Sequence, residues 1–463
     1  MISSINILAV GASGPDWRLD RAEINAGWGS SGGKGQVAVC APDEDALTLG
    51  VQAALRALDA SGLQIDIVDG LWWGTSRPPF AEGPSHAIMA RAIGLSARSA
   101  GALCSGSTHS GMEALFGAAD AIGSGTARVA LVVVSDALIP GLGTNYETHS
   151  GAGAAAVVLV SHGGNATLGA RITRTNPYLD RYRGDGETST RDFYDPRLFR
   201  EEIFLPSMQE IGEHLSVLDI NNWSIPDPDG RLGSTAARQL GVKNLVSDFA
   251  NTELGDTGAA AALLGGIGSL DVAGSLAIIG TGGGRTSAVE IKAKGPVPGA
   301  SEVRGDISGG TSVRYTAVAR ARGQLVGSGE TVPMGVPPQS AQFVRGGDEM
   351  LTLLGARCVD CGTINTPPSI HPHCISCGGT KFVLEQLSRR GRVHTFVINQ
   401  TMPAPFVAPL PIAVVDLEDG ARIMLQGVGD GSDMEIGMDV ELILRRYAHE
   451  RGVPVYGYKV KAL

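Results

Sequence analysis

The chain has 463 residues, room for two to four domains at about 100–200 residues each. Hydrophobic residues make up 43% and charged residues 18%, which excludes a disordered chain, and 65 glycines without a G-x-y period point to tight turns and close backbone approaches, not collagen. A net charge of −10 argues against a nucleic-acid partner, which would need clustered Lys and Arg.

"INILAVGA" (5–12) predicts a strand, and "DEDALTLGVQAALRALDASG" (43–62) a helix with acidic residues in its first turn, where the helix dipole favours them. "IDIVDGLWWGT" (65–75) reads as a strand, "SHAIMARAIGL" (85–95) as a helix, and "VALVVVSDAL" (129–138) and "AAAVVLVS" (154–161) as buried strands. The rhythm returns in "SDFANTELGDTGAAAALLGGIGSL" (247–270), a loop and helix, and "LAIIGTGGG" (276–284), a strand. Strands alternating with helices predict an α/β protein with a mostly parallel sheet, built as two similar halves, 1–162 and 163–295. Residues 296–348 lose the rhythm, and "ETVPMGVPPQSAQ" reads as a linker. From 349, short alternating strands broken by turn signals such as "EDG" predict a small antiparallel barrel: "GRVHTFVINQT", "IAVVDLEDGARIMLQGV", "DVELILRRY" and "VYGYKVKAL".

The N-terminus, "MISSINILAVGASGPDW", has no basic n-region and the chain no run of 18 apolar residues, so a cytoplasmic protein without a membrane span is expected. Four of the six cysteines fall in "CVDCGTINTPPSIHPHCISCGG": Cys358-x2-Cys361, twelve residues, then Cys374-x2-Cys377. Two such knuckles place four thiolates around one Zn²⁺, leaving no open coordination position, so the metal is expected to be structural. His371 and His373 lie in the intervening loop.

The stretch "GALCSGSTHSG" (101–111) holds Cys104, Thr108 and His109 between a strand and a helix, where helix-terminal amides activate a nucleophile. Cys104 reads equally as a small buried hydrophobe, Thr108 as a helix cap, and His109 as a surface residue at the helix start. The Gly-rich runs at 150–154 and 280–284 offer backbone amides for an oxyanion, with Gly282, Gly283 and Gly284 as the candidates. Asp227 in "PDPDG" reads as a turn residue and Asp256 in "GDT" as a helix cap.

Several stretches resemble the thiolase superfamily, in its ketoacyl synthase III and 3-hydroxy-3-methylglutaryl-CoA synthase branch. They are "PDEDALTLGVQAALRAL", "GTSRPPF", "SGMEALFGAADAIGSGTARVALVVVSD", "HSGAGAAAVVLVS", "NTELGDTGAAAALL" and "IIGTGGG". "GARCVDCGTINTPP", "CISCGG", "LPIAVVDLEDGARIMLQGV" and "IGMDVEL" resemble the rubredoxin-type zinc ribbon and OB-fold module that accompanies thiolase-like enzymes. The resemblance implies a duplicated five-layered α/β/α/β/α core, a zinc ribbon at 349–384 and an OB-fold at 385–463. It also implies an acyl thioester carried by CoA or a carrier protein. A homodimer paired through "VALVVVSDAL" follows too, or a complex with a catalytically complete thiolase-like partner.

The family's nucleophilic cysteine aligns with Thr108 in the ungapped register and with Cys104 in a gapped one. Ser76 stands at the glutamate position, Pro226 or Asp227 at the histidine, and Asp256 at the asparagine. With these changes the resemblance implies Claisen- or aldol-type chemistry at an atypical site, with His109, Asp227 and Asp256 as the candidate acid/base groups. It leaves open an acyltransferase using Cys104 or Thr108, and a non-catalytic subunit. The segment 176–222 is expected to cover the pocket.

Overall fold

The structure is a computed structural model that describes residues 4–191, 195–215, 218–325, 346–347, 349–402, 408–450 and 453–463. Two compact units appear: Met1–Ala90 with Leu95–Val326, and Arg91–Gly94 with Gly327–Leu463.

The first half of the first unit contains β1 (Asn6–Ser13), β2 (Trp17–Asp20), α1 (Arg21–Gly27), β3 (Gln36–Val39), α2 (Ala46–Ser61), β4 (Gly70–Gly74), α3 (Ser85–Ile93), β5 (Ala100–Cys104), α4 (Ser110–Ser124), β6 (Val129–Ala137) and β7 (Ala152–Val160). The second half contains β8 (Ala166–Thr175), α5 (Pro196–Leu198), α6 (Leu205–Leu215), β9 (Asn222–Ser224), α7 (Leu232–Gln239), α8 (Asp248–Leu254), α9 (Ala261–Gly266), β10 (Gly274–Gly282) and β11 (Arg285–Ala293).

Their strands form one sheet in the order β5-β4-β6-β7-β1-β8-β11-β10-β9. The duplication lies in this topology. β4 runs parallel to β6, β6 antiparallel to β7, and β7 antiparallel to β1. In the same way β9 runs parallel to β10, β10 antiparallel to β11, and β11 antiparallel to β8. The second-half counterpart of β5 is reduced to a single bridge, Trp223 to Leu245. The halves join where β1 meets β8 through Asn6–Thr167 and Ile7–Ala166.

α2 packs on β1, β6 and β7, and α6 on β8 and β11. α4 packs on β4, β5 and β6, α9 on β9 and β10, and the two helices touch. This yields the expected five layers, with α4 and α9 sharing an apolar core with both half-sheets. β6 and β7 are buried along nearly their whole length, and β6 is apolar up to Ser135, because both of their faces are covered. Layers this close require glycine: a Cβ at Gly111 of α4 would stand 2.1 Å from the Ala259 carbonyl, and one at Gly74 would stand 2.5 Å from that of Ser110.

Several local expectations are corrected. α2 begins at Ala46, so its acidic residues precede the first turn. Asp45 caps the helix by accepting from the Thr48 amide at 3.0 Å, and the Thr48 hydroxyl accepts from the Asp45 amide at 2.9 Å. In "IDIVDGLWWGT" only Gly70–Gly74 is strand, and Ile65–Ile67 form a 3₁₀ turn. β6 cannot offer an edge to a second copy because β4 and β7 flank it; the free outer strand is β5, whose residues 100–102 are exposed. Within 296–348, α10 (Val303–Ile307), β12 (Thr311–Ser312) and α11 (Tyr315–Ala321) fold into the first unit, and β12 extends β2 and β3 into a three-stranded sheet. "ETVPMGVPPQSAQ" lies outside the described residues.

In the second unit β13 (Leu354–Cys358), β14 (Ile364–Asn365) and β15 (Phe382–Gln386) form a three-stranded ribbon, ordered β14-β13-β15. β16 (Arg390–Asn399), β17 (Leu410–Leu417), β18 (Arg422–Gln426), β19 (Asp439–Glu450) and β20 (Val453–Ala462) form an antiparallel sheet ordered β18-β17-β16-β19-β20. A bridge from Gly427 to Val460 brings its two ends together into a nearly closed barrel.

Replacing Gly111 with Ala forces α4 away from the Ala259 carbonyl. The expected cost is about 2–3 kcal/mol, read as a lower unfolding midpoint in denaturant. An unchanged midpoint would show that the two helices separate freely.

Candidate functional site

The strand-to-helix turn after β5 places Thr108 at the wall of a small pocket. Asp180, Arg181, Phe199, Pro226, Pro228, Asp256, Gly258 and Thr281 complete the lining. The Thr108 hydroxyl donates to the Thr281 carbonyl at 2.7 Å rather than capping α4. β10 and β11 turn back through Gly283 (φ +55°) and Gly284 (φ +73°), and two successive positive φ angles suit glycine in a two-residue hairpin. Gly282 lies so close to Thr108 that a Cβ there would stand 2.0 Å from the Thr108 hydroxyl oxygen. The Gly283 amide, an expected oxyanion donor, donates to the Asp180 carboxylate at 2.9 Å.

Asp256 lies on the pocket wall, one residue before the cap position Thr257. One carboxylate oxygen accepts from the Gly258 amide at 3.0 Å, and the other from the Tyr146 hydroxyl at 3.2 Å and from Arg181. The Arg181–Asp256 pair is almost fully buried. Burial opposes the charge on Arg181, but Asp256 and then Tyr146 carry its pKa above the ordinary value. The guanidinium lies 4.1 Å from the centre of the Tyr146 ring.

Asp227 stands between the two lining prolines. Burial pushes its carboxyl up from 3.8 to about 6, the neighbouring Asp229 and Asp256 charges add to the rise, and Oδ1 is buried without a hydrogen-bond partner. A carboxyl pushed up to about 6 can exchange a proton near neutral pH, and it lies near the ion-paired Asp256.

His109, Cys104 and Asp227 are not among the residues that line this pocket; Asp227 lies beside it, between Pro226 and Pro228. His109 is fully buried, with Nε2 2.8 Å from the Ser287 hydroxyl and Nδ1 3.4 Å from Glu113, which pairs with Arg285 at 2.5 Å. Cys104 ends β5 opposite Gly74, and burial, then Glu113, pushes its thiol up to about 11. A thiol this far from ionisation at neutral pH is a weak nucleophile.

Sequence reasoning did not single out Tyr146, Asp136, Asp180 or Arg181. The segment expected to cover the pocket supplies Asp180, Arg181 and Phe199 to it. The polar and aromatic run "NPYLDRYRGD" was the available signal. Asp136, fully buried at the end of β6, accepts from the Thr75 hydroxyl (3.1 Å) and the Ser76 (3.2 Å) and Ala259 (2.8 Å) amides.

In the second unit the four cysteine sulfurs lie within 4.8 Å of one another, Cys358 to Cys377 and Cys361 to Cys374 both at 3.6 Å. Tetrahedral Zn–S bonds of about 2.3 Å would space sulfurs roughly 3.8 Å apart, so the cluster fits one such ion.

Comparison with known proteins follows the same division. The structure of MvaS in complex with 3-hydroxy-3-methylglutaryl coenzyme A matches with a TM-score of 0.60 at 17% identity, over 72% of this chain and 95% of that one. The 3-oxoacyl-(acyl carrier protein) synthase III from Pseudomonas aeruginosa PAO1 matches with a TM-score of 0.57 at 20% identity, over 64% of this chain and all of that one. Hydroxymethylglutaryl-CoA synthase of Thermococcus onnurineus is 28% identical over 295 residues, 59% of this chain and 80% of that protein. A family model described as the C-terminal OB-fold domain of ChsH2 matches residues 384–445. The fold is therefore that of the thiolase superfamily, joined to an OB-fold domain. The DUF35 domain-containing scaffold protein of Methanocaldococcus jannaschii is 40% identical over 121 residues, 25% of this chain and 84% of that protein. The chain belongs to the DUF35 domain family.

The fold favours protonated Asp227, so this residue costs stability increasingly as pH rises from about 4 to 6, and nothing below. Asp227→Asn is expected to stabilise the protein by about 1–2 kcal/mol at pH 7.5 and to leave it unchanged at pH 4. Denaturant titrations at the two pH values check this, and equal effects at both would remove the titration from the account.

Proposed function

We propose that the chain binds an acyl thioester, carried by CoA or a carrier protein, in the Thr108–Asp256 pocket. There it makes or breaks a carbon–carbon bond by aldol-type chemistry without an acyl-enzyme. The observation that carries this reading is the pair of unlike carboxyls, Asp227 near pH 6 and Asp256 ion-paired to Arg181. In the cleaving direction ionised Asp227 takes the proton of a β-hydroxyl, the carbon–carbon bond breaks, and its electrons pass to the thioester as an enolate. The Gly283 amide can stabilise that oxyanion once Asp180 moves aside. The relatives' names support a thioester: hydroxymethylglutaryl-CoA synthase, and a synthase in complex with an acetyl donor carrier protein. The withdrawn thiol of Cys104 and the engaged hydroxyl of Thr108 speak against a covalent intermediate.

A second reading is a non-catalytic subunit that binds the thioester within a homodimer or a complex with an active thiolase-like partner. A small pocket walled in part by the ion-paired Arg181, and a relative named a scaffold protein, favour it.

Intact-protein mass after incubation with a panel of acyl-CoAs tests both readings on wild type, Cys104→Ala, Thr108→Ala and Asp227→Asn. The expected outcome is turnover with no adduct, lowered about 10²-fold or more in Asp227→Asn. Binding without turnover by the isolated chain supports the subunit, and an adduct lost in Cys104→Ala or Thr108→Ala supports an acyltransferase.

The four thiols of Cys358, Cys361, Cys374 and Cys377 are assigned to one structural zinc, which would supply folding energy and no chemistry. Metal analysis is expected to give about one zinc per chain, and Cys358→Ser to lower it and unfold the ribbon. Full retention of zinc by that variant would contradict the assignment.

A further inference from the structure

The proposed cleavage needs two proton transfers. Asp227 takes the proton of the β-hydroxyl, and the enolate must then gain one at its α-carbon to become a stable thioester. The pocket wall holds two carboxyls, Asp180 and Asp256. Asp256 is committed to Arg181, the Tyr146 hydroxyl and the Gly258 amide, donors that leave little of it for a substrate.

Asp180 is bound differently. It is 9% exposed, and its Oδ2 accepts from the Gly283 amide at 2.9 Å, the donor assigned to the enolate oxygen. Burial pushes its carboxyl up, with Arg181 and then the Gly283 amide opposing. The chain is anchored on both sides of Asp180. The Asn176 amide donates to the Gly284 carbonyl at 2.7 Å, the Tyr178 amide to the Asn176 carbonyl at 2.9 Å, and the Arg181 side chain to Asp256. Rotation of the Asp180 side chain is therefore enough to free the Gly283 amide, and it leaves the carboxyl in the pocket. An enolate oxygen that takes over the amide brings its α-carbon, two bonds away, next to the displaced carboxyl.

We propose that Asp180 is a second catalytic residue, which gives the α-carbon its proton in cleavage and takes that proton in the reverse direction. In cleavage the O–H bond of the Asp180 carboxyl breaks and a C–H bond forms at the α-carbon with the electron pair of the enolate. The carboxylate left behind regains a proton from water. The inference rests on the proposed reaction and adds to it the residue that handles the α proton.

Hydrogen exchange at the α-carbon tests it, because exchange needs no carbon–carbon bond to break. The full chain is incubated with saturating acetyl-CoA or propionyl-CoA in heavy water, and deuterium in the recovered thioester is read by mass against a protein-free control. Wild type is expected to exchange, and Asp180→Asn to be slower by about 10²-fold or more. Asp185→Asn, exposed on the same segment, should match wild type. Asp180→Asn keeps the side chain's shape and an acceptor for the Gly283 amide, so its unfolding midpoint should stay near that of wild type; Asp180→Ser gives the same test if it does not. Exchange as fast in the Asp180 variants as in wild type would overturn the inference and leave the reaction standing. A thioester that raises the wild-type unfolding midpoint but does not exchange would overturn it in favour of the non-catalytic subunit. Absence of thioester binding would overturn the reaction, and the inference with it.

Discussion

A buried carboxylate at the end of β6 holds the site together. Asp136 reaches the Thr75 hydroxyl and Ser76 amide beyond β4 and the Ala259 amide at the start of the second half's central helical segment. Burial pushes its carboxyl up, and these hydrogen bonds pull it back. The group is tolerated because its donors are all in place, and that condition fixes the loops carrying Arg77 and Asp256 relative to each other. Gly258 leaves room for it, since a Cβ there would stand 2.4 Å from the carboxylate.

What was legible in the sequence follows from the range of the interactions. β6 and β7 were visible as largely apolar runs because covered faces leave no polar alternation, and the cysteine knuckles because four like residues recur at a short fixed spacing. The halves were sensed as a rhythm but not as a repeat, because the conserved object is strand order and direction, not side-chain identity. Of the candidate residues, Thr108 and Asp256 share a pocket and Asp227 adjoins it, while His109 turns into the interior toward Ser287. The direction of the His109 ring depends on β11, 178 positions away, and no local pattern encodes it. Asp180 and Arg181 escaped for the same reason: their segment has no period, and their partners, Gly283 and Asp256, come from elsewhere in the chain.

In the proposed reaction the pocket acts through charge rather than through a reactive sulfur. Where a helix terminus beneath an ionisable thiol would favour covalent capture, this chain presents a hydroxyl spent on a backbone carbonyl, and a buried arginine between an aromatic ring and a carboxylate. Such a site favours ligands that can exchange hydrogen bonds with it, because an alkyl group gains little by displacing paired charges.

The uneven ends of the nine-stranded sheet bear on how copies of the chain can meet. At one end β5 presents a full strand with an outward-facing backbone; at the other the sheet tapers to a single bridge at Leu245. A sheet open at both ends can be lengthened indefinitely, one neighbour after another, and that is the geometry of a fibre. Among the described residues only the β5 end presents a full strand for addition, so the reduction of one strand in the second repeat limits how far the sheet could grow.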